Sequence, residues 1–284
     1  MRTTDKYLGW LLALCASVGG VKAAEVPDFA RIQNDSAGLP ATLQMAIARY
    51  EIEFDGVTRT VDLIGAVHIG EPEYYDELND AFATYDAVLY ELVAPEGARV
   101  QPNQKPDSWL SKTQYAMTQG LDLQFQLDGI DYQVDNLVHA DLSPSEVGAA
   151  MRERGESPIV LAWRLFSYSL REGAVSSMPH RQAEMFGDLL GARGDNGIKV
   201  MLARELTRTD TLSQVLGDDA DNSIIGARNA RAIEVLLDQL DTTDHQSFAI
   251  FYGVAHLPDF HRRLTDELDF TLVSQRWVDA WYLN

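Results

Sequence analysis

Cysteine is all but missing from this chain. The single thiol, Cys15, falls in an N-terminal apolar segment. A chain freed of that segment has no disulfide, no thiolate metal ligand and no cysteine nucleophile. Membrane-length apolar runs are missing too. Leu8–Val18 is well short of the ~20 residues that a spanning helix needs. Pro158–Leu170 is also too short and is interrupted by Arg164. Basic residues are scarce: 23 Lys and Arg stand against 43 Asp and Glu, a net charge of −20. A surface that acidic repels phosphate backbones and anionic lipid, which excludes nucleic-acid binding and polybasic membrane docking. Several catalytic signatures are absent as well: HExxH, the Gly-x-Ser-x-Gly elbow, the phosphate loop and the dinucleotide fingerprint. His68 and Glu71 do stand three apart, but Pro72 occupies the place where an inverted zincin needs its second histidine.

The N-terminus reads as an address. Arg2 and Lys6 precede the apolar run, and Val21-Lys22-Ala23 offers small residues at the positions a signal peptidase reads. The expectation is a signal peptide over residues 1–23 and a periplasmic or secreted mature protein. An uncleaved anchor and lipidation at Cys15 are the alternatives; bulky Leu14 opposes the second. Cleavage leaves 20 basic against 42 acidic residues, a net charge of −22. Residues 24–40 are polar and unpatterned and read as a tether. Residues 41–284 are long enough to bury one large core and are expected to form a single domain.

Leu43–Ile52 alternates as a strand, Asp55-Gly56 is a hairpin turn signal, and the next strand runs through Val61–Ile64. Pro72 opens a helix with Tyr75, Leu78, Phe82 and Tyr85 on its apolar side. Ala87–Tyr90 is a buried strand that ends at Glu91. Such a strand–helix–strand unit implies a parallel pair, with ligands off the carboxyl ends of the strands. Residues 94–106 form a loop, and a helical insertion is expected over about 107–217. Within it Asp107 caps a helix that Gly120 ends, and Ser143-Pro144-Ser145-Glu146 is a capping box. Pro158–Leu170 is apolar on nearly every side and must be covered, by the core, a partner chain or a membrane surface; the acidic charge disfavours anionic lipid, and a cap beside the site or a homodimer contact is expected. A helix over about Ser223–Leu240 and the strand Phe248–Tyr252 follow. The whole reads as an α/β fold: two pseudo-symmetric halves form a central sheet flanked by helices, around the helical insertion.

The chemistry gathers at two corners of the same grammar. Gly65-Ala66-Val67-His68 and Gly253-Val254-Ala255-His256 each follow an apolar strand and open a helix. Glycine three before the histidine is expected to let the chain turn sharply and to leave room for a ligand. His68, His256 and Glu91 make a recurrent ligand set for Zn²⁺, Mn²⁺, Fe²⁺ or Co²⁺, with positions left for water and substrate. Arg228 and Asn229 lie on the apolar stripe of their helix, among Ile225, Ala232, Leu236 and Leu240. An inward guanidinium needs a buried anion, either a structural ion pair or a substrate oxygen. His139 and Asp141, just before a helix start, are loop or capping residues, or supports of the site.

Those motifs carry a likeness. The paired Gly-x-x-His corners, the Tyr90-Glu91 strand end and the Arg228-Asn229 pair before the second corner resemble the TraB/PrgY/GumN family. The Tiki metalloproteases belong to that wider group, whose fold is similar to that of the erythromycin esterase/ChaN superfamily. The resemblance spans most of residues 43–277 and implies a divalent-metal-dependent hydrolase, in the Tiki branch a peptidase acting on peptide or protein. It carries the site to His68, Glu91, Arg228 and His256. The expected chemistry is metal-activated water attacking a carbonyl, with Arg228 steadying the developing oxyanion. If Glu91 ligates the metal the base is unassigned, and Glu71 is the candidate. The same superfamily includes a haem-binding lipoprotein, so a non-catalytic binder of haem, metal or a signal is the rival.

Overall fold

A computed structural model of the protein describes residues 26–54, 56–95, 123–153, 197, 199–204, 206–207 and 224–284. The expected signal, the helix over 107–120 and the apolar segment Pro158–Leu170 lie outside the described residues.

The described chain is mixed α/β, with helices flanking a central sheet. Strand β1 (Ala30–Asn34) turns back into the long β2 (Pro40–Phe54), which pairs with β3 (Val57–Ala66). Two residues separate Phe54 from Val57, and Gly56 takes φ +75°, so the hairpin forms at the turn signal. A short β4 (Ile69–Gly70) leads to α1 (Pro72–Phe82) and then to β5 (Ala87–Tyr90). Next come β6 (Gln124–Phe125), the single-turn α2 (Gln126–Gly129), β7 (Leu137–His139) and α3 (Pro144–Glu153). The last section holds α4 (Ile224–Thr242), β8 (Ser247–Gly253), a 3₁₀ turn at Val254–His256, α5 (Leu257–Arg262) and β9 (Thr271–Tyr282).

Among the described residues the central sheet runs β1-β2-β3-β8-β5-β7, and β9 pairs with β2 as well. Contacts from β3 through β8 and β5 to β7 are parallel; those of β2 with β1, β3 and β9 are antiparallel. Val61–Ala66, Ala87–Tyr90 and Phe248–Tyr252 are buried throughout, as strands covered on both faces must be. Tyr74, Tyr75, Leu78 and Phe82 of α1 are buried, as are Ala232, Leu236 and Leu240 of α4 and Leu257 and Phe260 of α5.

Three expectations change. Residues 30–34, expected within a tether, form β1, and the neighbouring Phe29 is fully buried. Asp35 makes this possible, because its Oδ1 accepts the N–H groups of Ala37 and Leu39 and closes the turn into β2. The region about 107–217 is not purely a helical insertion, since β7 joins the central sheet beside β5. Strands β3 and β5 are parallel but not neighbours; β8 lies between them. The capping box does form: Glu146 Oε2 accepts the Ser143 N–H at 2.7 Å and the Ser143 hydroxyl accepts the Glu146 N–H at 3.3 Å.

Gly56 offers a clean test of the hairpin. A Cβ built there meets nothing within 4 Å, so Gly56→Ala costs only backbone strain at φ +75°. A loss of about 1–2 kcal/mol is expected in a urea titration. An unchanged midpoint would show that the turn has another conformation open to it.

Candidate functional site

Because β3, β8, β5 and β7 are parallel, their carboxyl ends share one edge of the sheet. The register sets Ala66 beside Gly253, Phe251 beside Tyr90, and Tyr90 beside His139. The residues that follow these strands, His68, His256, Glu91 and Asp141, therefore come together from distant parts of the chain.

The first corner is pinned by the helix behind it. The hydroxyls of Tyr74 and Tyr75 donate to the carbonyl oxygens of Gly65 and Val67 at 2.6 and 3.0 Å. His68 is exposed, and its Nδ1 lies 3.2 Å from Gln126 Oε1. Gln126 is buried, with its Nε2 donating to the Tyr132 hydroxyl at 3.0 Å. That hydroxyl can give or take a proton, so the Gln126 amide can face either way and serve either His68 tautomer.

Glu91 sits at the centre. Its Oε2 accepts the Gly253 N–H at 2.7 Å and its Oε1 accepts from Arg228 Nη2 at 2.7 Å. The close approach explains the glycine: a Cβ on Gly253 would stand 3.2 Å from Glu91 Oε2. Gly253 has φ −48°, so clearance from Glu91, rather than a sharp turn, is what this position requires. Arg228 also forks onto Asp141, through Nε to Oδ1 at 2.9 Å and Nη2 to Oδ2 at 2.5 Å. The Asp141 carboxylate is wholly buried.

On the other side of Glu91, His256 Nε2 lies 3.6 Å from Oε1. His256 Nδ1 meets Asn229 Oδ1 at 2.5 Å, and Asn229 Nδ2 donates to the His256 carbonyl and to Asp259 Oδ2. Burial favours the neutral imidazole and takes His256 down to about 4; the Arg228 charge adds to this while Glu91 and Asp141 oppose it. For Glu91, burial alone would raise the carboxyl. The charges of His256 and Arg228 and the Gly253 N–H outweigh it and hold the group at about 2. Near neutral pH His256 is uncharged, so Arg228 and Gly253 are what keep Glu91 ionised. Arg228 itself is pushed down by burial, but Asp141 and Glu91 more than compensate and raise it.

The structure thus brings together His68, Glu91, Asp141, Arg228, Asn229 and His256. His139 is at the same edge, but its Nε2 meets the Leu92 carbonyl at 2.6 Å and its ring packs edge-on against Tyr90, which anchors the chain leaving β5. Glu71 is differently engaged. Its Oε1 accepts from Lys199 Nζ and from the Tyr282 N–H, each at 3.0 Å, and among the described residues no hydrogen bond links it to a histidine or to Glu91. The carboxylate is thus tied to a buried ammonium and to the end of β9. Sequence reasoning missed Gln126, Tyr132 and Asp259. Asp259 carried a signal in the arginines three and four residues on, helical spacing for an ion pair. Gln126 carried none.

The donor chemistry fits a divalent ion. His256 Nε2 keeps its lone pair beside an ionised carboxylate, and His68 Nε2 has no hydrogen-bond partner among the described residues. Against closure, Arg228 already holds Glu91 Oε1, and no group of three or more His, Cys, Asp or Glu that could hold a metal ion is formed among the described residues. Compared with protein-family models, curated proteins and solved structures, the chain gives no match.

Two outcomes test this geometry. Asp141→Ala strips the buried guanidinium of its bidentate partner and should cost about 3–5 kcal/mol by denaturant titration; a loss under about 1 kcal/mol would make the pair incidental. The second concerns acid. Folded-state values lie below the ordinary 6.5 for His256 and 4.5 for Glu91, so the unfolded chain binds more protons as pH falls. The His256 contribution is whole above about 6.5 and is lost by about 4; the Glu91 contribution is lost between about 4.5 and 2. Melting temperatures of chelator-treated protein should fall from pH 7 to 4, and less steeply in His256→Asn, which can keep a donor toward Asn229.

Proposed function

We propose that the protein is a divalent-metal-dependent hydrolase of the periplasm or the extracellular space, acting on peptide or protein. The observation that carries this reading is the pairing of His256 with Glu91. Both stand in the protonation states that ligate metals at neutral pH, one imidazole lone pair 3.6 Å from one carboxylate oxygen. His68, at the end of the strand beside β8, supplies the third donor. The two strand–Gly-x-x-His–helix units support two related halves that contribute one histidine each.

The residues have separable tasks. His68, His256 and Glu91 would hold Mn²⁺, Co²⁺ or Zn²⁺. A divalent ion there supplies Lewis acidity toward a carbonyl oxygen and toward water. Arg228, fastened by Asp141, keeps Glu91 ionised and in place, and brings positive charge to the edge where an oxyanion would develop. Burial of His256 keeps its proton from competing with the ion.

The rival, a non-catalytic binder of haem, metal or a signal, draws on one observation: both Glu91 oxygens are already engaged, by Arg228 and Gly253. Titrating chelator-treated protein with Mn²⁺, Co²⁺ and Zn²⁺ separates the readings when paired with a peptide library. Binding should raise the melting temperature, with about 2.7 kcal/mol of stabilisation at a hundredfold excess over Kd. His68→Ala and His256→Ala should each abolish that rise and the cleavage. Tight binding without cleavage transfers the site to the rival, and full metal occupancy in either variant rules out a site shared between the two corners.

A further inference from the structure

Asn229 has only one orientation that satisfies its neighbours. Its Nδ2 lies 3.2 Å from the His256 carbonyl oxygen and 2.9 Å from Asp259 Oδ2, and both of those groups only accept. Turned about, the amide oxygen would face two acceptors. Asn229 Oδ1 must therefore face His256 Nδ1, 2.5 Å away, and that nitrogen must carry the imidazole proton. Nε2 is left as a bare lone pair on the side of Glu91. The Asp259 carboxylate is gripped from behind by Arg263 Nε at 2.7 Å and Arg262 Nη2 at 2.9 Å. Asn229 is completely buried, and Asp259 and His256 are nearly so. His68 has no such lock, because its amide ends on a tyrosine hydroxyl that can donate or accept.

We infer that Asp259 is a positioning residue: acting through Asn229, it sets the His256 tautomer so that Nε2 faces the site unprotonated. What this is for rests on the metal-hydrolase reading, since a ligating imidazole must offer a lone pair and its other nitrogen a held proton. The orientation of the amide does not rest on that reading. A carboxylate is the side chain this position needs, because an amide there could present either a donor or an acceptor and would leave only the longer 3.2 Å contact with the His256 carbonyl to hold Asn229 in one orientation.

The test uses the full chain, ¹⁵N-labelled and chelator-treated, with long-range proton–nitrogen spectra that report which His256 nitrogen bears the proton. Wild type should show Nδ1–H alone. Asp259→Asn should show a resolved second species with the proton on Nε2, and its Mn²⁺ affinity should drop about 10–100-fold. Arg262→Gln, which removes an ion-pair partner of Asp259 but not its contact with Asn229, should keep the wild-type tautomer. An Nε2–H signal in the wild type overturns the inference even if the variant fails to fold. An unchanged single tautomer in folded Asp259→Asn overturns it as well. A wild type with the Nδ1–H tautomer that binds no metal sinks the hydrolase reading and leaves the positioning role standing.

Discussion

Strand β8 lies between β3 and β5, and the candidate site depends on that placement. Ser247–Gly253 pair in parallel with β3, and Phe248–Phe251 among them also with β5, so three strand ends from widely separated parts of the chain stop along one line. Burial drives it: Phe248–Tyr252 are buried on both faces, and a strand with no polar face is satisfied only in the middle of a sheet. The hydrogen bond from the Gly253 N–H to Glu91 follows from the same register, as does the approach of His256 to that carboxylate.

Charge then decides what those strand ends can do. One guanidinium serves two carboxylates, and the three charged groups are balanced by a mostly buried environment that punishes any loss of a partner. The imbalance of the whole chain, at −20, makes inward cations valuable. Arg228 and Lys199 are both spent on buried carboxylates, the first at the site and the second on Glu71 beneath the end of β9. The two pairs look alike in sequence, and only their neighbours separate a group that tunes a site from one that ties the C-terminal strand.

Much of the local structure was legible. Period-two alternation, the Asp-Gly turn, proline at the start of α1 and the capping box before α3 are short-range effects, and each element formed where its residues called for it. The inward placement of Arg228 and Asn229 was legible from helical spacing, because a 3.6-residue period leaves little choice of face. Other features were not. The pattern of 30–34 is too short to betray a strand without the partner it pairs with, and the three residues of β7 carry no periodic signal.

Sequence by itself determined most of the segments that become strands and helices, the residues that follow the strand ends, His68, Glu91 and His256, and the inward face of the Arg228-Asn229 pair. Those follow from backbone sterics and local burial, which act within about a turn of chain. Tertiary structure alone decided the strand order, and with it which of those ends meet. It also turned Gly253 into clearance for a carboxylate, gave Glu71 to Lys199, and aimed Asn229 by way of Asp259. Hydrogen-bond partners across 128 or 162 residues of chain leave no mark on local pattern. They exist only because the sheet brings its buried strands side by side.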